Sequence, residues 1–185
     1  MTPIGEPVRL VHPVFPETAR LWGAGRPGYP DEPPAADVVT SGARAWRALG
    51  VARVLSLVED WELGRRLPGL FERLAEQGIS AVRFPVRDFG VPADPAGFAR
   101  LLADLRDRLQ TGEGVLVHCN AGLGRTAVVL ASLLRVHGLR EDPVEEIRRL
   151  YRSDAMRDPA QEAFVRGLDP ALAPGAGANG RGPAR

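Results

Sequence analysis

The chain of 185 residues is 44% hydrophobic, enough to bury one core and form one domain. A formal charge of +1 gives no basic field for nucleic acid or an anionic membrane, and no apolar run approaches the ~20 residues of a membrane span. One cysteine excludes an internal disulfide, and residues 1–20 lack the basic-then-apolar profile of a secretory signal, so a monomer in the reducing cytoplasm is expected.

Residues 1–35 are dense in proline and glycine (Pro27, Gly28, Pro30, Pro33, Pro34) and read as an extended segment with turns, in which Val8 to Val11 can add an edge strand. Residues 36–49 predict a helix with Trp46 and Leu49 inward and Gly50 as its stop. Val51 to Val58 is a buried strand. Residues 62–77 place Leu63, Leu67, Leu70, Phe71 and Leu74 mostly at helical spacing, interrupted by Pro68-Gly69. Gly78 ends that stretch, and Ile79 to Phe84 forms the next strand.

Asp94-Pro95 starts a helix whose Phe98, Leu101, Leu102, Leu105 and Leu109 make one apolar stripe. Val115-Leu116-Val117 is a buried strand, followed by a glycine-bearing loop and the helical run Ala127 to Ala131. Asp142-Pro143 caps a helix bearing Val144, Ile147 and Leu150, and a last helix covers 159–167. From Pro170 onward the chain is Ala, Gly, Pro and Arg without an aromatic and reads as a disordered tail. The alternation predicts a single α/β domain over 1–169, with a central, mostly parallel sheet of four to five strands and helices on both faces. Ligands of such sheets bind at the carboxyl ends of the strands, where the loop after Val117 falls.

That loop, His118-Cys119-Asn120-Ala121-Gly122-Leu123-Gly124-Arg125-Thr126, holds the chain's only cysteine and an arginine six positions later. A tight turn entering a helix N-terminus points backbone N–H groups inward and forms an anion cradle. A thiol in that field gives up its proton readily. Arg125 presents a planar fork matching two phosphate oxygens. As a surface residue it would sit awkwardly at the positive end of a helix dipole, which a bound anion resolves. Gly122 and Gly124 admit close approach of the phosphate, while Asn120, Ala121 and Leu123 contribute amides. A buried structural role is the alternative for Cys119. In this setting a nucleophile aimed at phosphorus is the better reading, and the chain reads as a phosphatase. His118 is assigned to orienting the loop by hydrogen bonding, a catalytic base being its alternative, and the hydroxyl of Thr126 to reaching back toward the sulfur.

Asp88 lies about thirty positions ahead of Cys119 between Pro85 and Pro92, in a loop from which a carboxyl can protonate a leaving oxygen and later activate water. Asp94 is its rival but suits a helix cap. Glu59 and Asp60 either line the cleft or pair with neighbours of the loop. No His/Asp cluster with metal-ligand spacing is present, so no metal or cofactor is expected.

The nonapeptide resembles the His-Cys-x5-Arg-Ser/Thr signature of the cysteine-dependent protein tyrosine phosphatase superfamily, closest to its small, atypical dual-specificity members. Val54 to Glu59 resembles that family's early core strand, Phe84 to Pro92 its general-acid loop, and Glu145 to Leu150 with Gln161 to Val165 its C-terminal helices. The likeness runs from about Arg20 to Gly167. It implies a protein tyrosine phosphatase-like fold, with Cys119, Arg125 and Asp88 as catalytic residues. It also implies a phosphate or sulfate anion in the 120–125 loop, and phosphotyrosine, with phosphoserine and phosphothreonine, as substrate. At Gln161 many relatives position the hydrolytic water with a glutamine; a solvated helix start is the other reading. Arg87 departs from the proline that often precedes the acid, and Ala127 from a frequent glycine. Inositol phosphates or phosphoinositides form a second substrate class, although such relatives tend to place lysines in the loop, where Ala121 and Leu123 stand. A phospho-binding pseudophosphatase and a rhodanese-like sulfur transferase are the remaining readings.

Overall fold

Apolar residues alternate between the two faces of the sheet. Val54, Leu116, Trp22 and Ala24 pack on one side with Val39, Ala43 and Trp46, while Leu55, Val115, Val117 and Leu21 pack on the other with Leu102, Leu105, Val129 and Leu133. The computed structural model describes residues 5–31 and 37–172. Its strands are β1 (Val8–Leu10), β2 (Arg20–Ala24), β3 (Arg53–Ser56), β4 (Ser80–Arg83) and β5 (Gly114–His118). Its helices are α1 (Val38–Ala48), α2 (Asp60–Arg66), α3 (Leu70–Glu76), α4 (Pro95–Gln110), α5 (Arg125–Val136), α6 (Pro143–Leu150) and α7 (Pro159–Arg166). The five strands run in the order β1-β2-β5-β3-β4, parallel except for β1 at the edge. Strand β5 is buried at every residue, so its carboxyl end opens on the site from the middle of the sheet.

The single α/β domain with a mostly parallel sheet and helices on both faces agrees with the sequence reading, as does the edge strand near Val8. Four details differ. The segment 1–35 is not merely extended: β2 lies inside it and separates β1 from β5. Its Gly23 hides the strand pattern, and an added Cβ there would stand 2.6 Å from Leu130 Cδ1 and 2.7 Å from the Tyr151 ring. The 62–77 stretch is two helices, because Gly69 adopts φ 72° at the break after Pro68. Leu49 faces solvent rather than the core, at 44% exposure, since α1 ends one residue earlier. Pro170–Leu172 closes in a 3-10 turn, and the rest of the expected tail, 173–185, lies outside the described residues, as do 1–4 and 32–36.

Asp94 accepts from Gly97 N at 2.9 Å, and so serves as the α4 cap, an interaction worth about 1 kcal/mol. No described helix is long and apolar enough to cross a membrane.

Candidate active site

The loop after β5 is shaped by donors that hold its carbonyls from outside. Arg26 N donates to Asn120 O at 2.8 Å, Tyr151 Oη to Gly122 O at 2.8 Å, and Met156 N to Leu123 O at 2.9 Å. In a trans peptide the C=O and the following N–H point in opposite directions. The amides of Ala121, Leu123 and Gly124 are therefore turned to the inner side of the loop. Gly122 N points there too, donating to Cys119 Sγ at 3.2 Å. Gly122 sits at φ 82°, and a Cβ on it would fall 2.6 Å from Gly25 N, so backbone meets backbone and only glycine fits. Together these contacts make a ring of amides above the sulfur of Cys119, a residue that is 3% exposed.

Three supports of this ring were not singled out from the sequence. Arg26, buried in the turn after β2, adds a bond from Nε to Asn120 Oδ1 at 2.9 Å. Burial raises the pKa of Tyr151, with the nearby Cys119 contributing, so its hydroxyl stays a neutral donor. The third is Glu62, which grips Arg125 with both oxygens, at 2.7 Å to Nη1 and 3.0 Å to Nη2. Burial pushes the Glu62 carboxyl up. Its hydrogen bonds to Arg125 and to the Glu59 amide, with the charges of Arg125 and Arg66, outweigh burial and hold it below the usual carboxylate range. Glu62 is positioned by a capping box with Glu59 at the start of α2. The Glu59-x-x-Glu62 spacing was the available signal, together with the rule that a buried arginine needs a counter-charge.

Arg125 opens α5 and is 2% exposed, with Nη1 also donating to Val86 O at 3.0 Å. Its Nη2 meets Asp88 Oδ1 at 2.9 Å, which brings the loop of Asp88 to the arginine of the cup. That loop turns through Gly90 N to Arg87 O at 2.8 Å, with Phe89 held at φ 57°. The Asp88 amide donates to Glu59 Oε2 at 3.3 Å, so Glu59 braces the loop of Asp88, while Asp60 pairs with Arg83 of β4.

Gln161 is not on a solvated face. It is 1% exposed, donates from Nε2 to Gly90 O at 2.8 Å, and places Oε1 3.0 Å from where a Gly124 Cβ would stand. One side chain thus joins the Asp88 loop to the cup. Thr126, expected to reach the sulfur, instead uses its one hydroxyl proton on Ala24 O at 3.3 Å, bracing α5 against β2. His118 is fully buried, with Nδ1 at 3.2 Å from Cys119 O and its ring against Trp46 at 5.5 Å. Burial lowers its pKa to about 4, so the ring is neutral.

Residues 37–170 match the family described as PTP-SAK, Swiss Army Knife protein, DSP-PTPase phosphatase domain. Cyclin-dependent kinase inhibitor 3 of Sus scrofa is 28% identical over 123 residues, which cover 64% of this chain and 58% of that protein's length. Kinase associated phosphatase with its catalytic-site cysteine replaced by serine superposes with a TM-score of 0.73 at 24% identity, over 89% of this chain and 93% of that one. The fold is shared by P. aeruginosa TpbA in complex with pTyr, with a TM-score of 0.57 at 21% identity over 83% of each chain. PTPMT1 in complex with PI(5)P also shares it, with a TM-score of 0.61 at 21% identity over 84% of this chain and 91% of that one. The matched span holds the whole cup with its arginine, its two carboxylates and its glutamine, and the chain belongs to the DSP-PTPase phosphatase domain family.

Proposed function

We propose that this domain hydrolyses phosphotyrosine in proteins, with phosphoserine and phosphothreonine as further substrates, through a cysteinyl-phosphate intermediate. The observation that supports this most is the meeting of Cys119 Sγ, the amide ring, and Arg125 with Asp88 bound to it. The phosphate dianion takes the amides and the Arg125 nitrogen now held by Asp88. The Cys119 thiolate attacks phosphorus in line, the P–O bond breaks, and Asp88 gives its proton to the leaving oxygen. Water then attacks the thiophosphate, Asp88 takes the proton back, and the S–P bond breaks to release phosphate. Gln161, fixed between Gly90 and Gly124, is suited to hold that water.

Phe89 favours an aryl ester. It is 76% exposed at positive φ, an uncommon conformation for a bulky residue, and lines a cleft of about 150 Å³ with Leu123, Met156 and Gln161. An apolar wall beside the acid suits a phenyl ring better than a polyhydroxylated one. Ala121 and Leu123 supply no cation for the extra phosphates of an inositol, and Arg157, the cation of the cleft, shares it with Asp158 and with Asp154, 4.0 Å from its Nη2, which leaves phosphoinositides the weaker reading.

Turnover by the purified protein of phosphotyrosyl and phosphothreonyl peptides and inositol phosphates tests the reading. Phosphotyrosyl peptides should be hydrolysed fastest, and Cys119→Ser should abolish turnover while still binding phosphate. Preference for inositol phosphates would reject the substrate, and phosphate binding without turnover by the wild type would make the domain a pseudophosphatase.

A further inference from the structure

Four large hydrophobic side chains are exposed among the described residues: Val11, Leu49, Trp61 and Phe89. They divide by position. Val11 follows β1, beside the start of β2, and Leu49 precedes β3, so both lie at the amino ends of the parallel strands, away from the cup. Trp61 and Phe89 lie at the carboxyl ends, and both lead to Asp88. Phe89 is its chain neighbour. Trp61 reaches it through one oxygen, since Trp61 Nε1 and the Asp88 amide both donate to Glu59 Oε2 at 3.3 Å. Isolated exposed apolar residues are ordinary, but two aromatics converging on one acid are not scattered.

Trp61 is also held in place. Its indole N–H is fixed on Glu59, and the guanidinium of Arg66 lies 5.0 Å from its ring centroid, itself tied to Glu62 at 3.3 Å. The ring nevertheless stays 51% exposed, while Trp22 and Trp46 are 5% and 3% exposed. A rigid indole offers a large contact area at small entropic cost, which is why tryptophan is enriched at binding hot spots. The cleft beside Phe89 does not include Trp61, which lies on the other side of Asp88, across Glu59.

We infer that Trp61 is a docking surface for an apolar side chain of the polypeptide flanking the phosphorylated tyrosine, making it a specificity-determining residue for protein substrates. The inference rests on the proposed function. Its test compares phosphotyrosyl peptides bearing apolar flanking residues with para-nitrophenyl phosphate, using the wild type, Trp61→Ala, Trp61→Phe and, as a control from the far end of the sheet, Leu49→Ala. Trp61→Ala should lower kcat/KM for the peptides about tenfold or more, through KM, as expected for loss of a hot spot. It should leave para-nitrophenyl phosphate within about twofold, and Trp61→Phe should recover most of the loss, while Leu49→Ala changes neither substrate. In Cys119→Ser, a bound phosphopeptide should shield Trp61 fluorescence from acrylamide, since the other two tryptophans are already buried. An equal loss on both substrates would mean Trp61 acts only through Glu59 and Asp88, and no loss would make it a bystander; either overturns the inference alone. A wild type that cleaves para-nitrophenyl phosphate but no phosphotyrosyl peptide would overturn the proposed function as well.

Discussion

Replacing Glu62 by glutamine keeps the shape of the side chain and removes one charge from the most buried ion pair of the site, in which both side chains are 1% exposed. Removing one partner of a buried pair costs about 3–5 kcal/mol, because the remaining charge is left desolvated. Glutamine retains one carbonyl oxygen for Arg125, and Val86 O and Asp88 stay in place, so the loss should sit near ~3 kcal/mol. A domain of this size moves about 2–4 °C per kcal/mol, so Tm should fall by roughly 6–12 °C. Arg125 would also lose the clamp that aims its fork, and a misplacement of about 1 Å is worth ~10²-fold in rate. Bound phosphate should raise the Tm of Glu62→Gln more than that of the wild type, since it returns an anion to Arg125. The pH dependence has a definite sign. Glu62 is held below its ordinary value of 4.5, so its contribution is present above that pH and fades as pH falls through the lowered value; the variant should lack this acid limb. Thermal melts with and without phosphate, beside kcat/KM on an aryl phosphate, decide the matter. A variant melting with the wild type and keeping its kcat/KM would show that Arg125 does not depend on Glu62.

Asp88→Asn should slow esters with poor leaving groups by ~10²–10⁴-fold while sparing good ones, and should tighten phosphate binding because no carboxylate competes for Arg125 Nη2. Equal losses across leaving groups would exclude Asp88 as the acid. His118, neutral with a pKa lowered from 6.5 to about 4, gives stability that is present above pH 6.5 and is lost as pH falls toward 4, about 3 kcal/mol in all. Urea midpoints of wild type and His118→Gln between pH 6.5 and 5 should therefore diverge in slope, and parallel slopes would mean that the imidazole is not buried neutral.

What the sequence made legible follows from how local each signal was. The strand into His118, the α4 cap at Asp94 and the apolar stripe to Leu109 are all written within a dozen residues, and they emerged as read, whereas the two loop glycines, read as room for a phosphate, abut the Gly25 backbone and the Gln161 side chain. Strand β2 escaped because its Gly23 and Ala24 look like part of a glycine- and proline-rich lead. Gly23 is small for a reason set far away, where Tyr151 and Leu130 lean over it. Glu62 escaped for a similar reason: its partner lies 63 residues on, and only the folded chain brings them together. The two readings of Gln161 could not be separated from sequence, because burial of a helix-start glutamine depends on Gly90, which is 71 residues earlier in the chain.

The arrangement around Arg125 also explains why two carboxylates rather than one converge on it. Glu62 is fully buried and bidentate, and its place in the α2 capping box fixes it on the far side of the guanidinium. Asp88 is 39% exposed on a turn and holds a single nitrogen by one oxygen. An incoming phosphate dianion can displace only the second without unfolding a helix start. Under the proposed function Asp88 is the acid, and an acid donates only a proton it holds, so Asp88 would leave its ion pair as the phosphate takes that nitrogen. Gln161 ties the Asp88 loop through Gly90 O, which on that reading would direct the freed carboxyl toward the leaving oxygen rather than into solvent. The buried partner thus sets the direction of Arg125, and the proposed function makes the exposed one the partner that a substrate phosphate would replace.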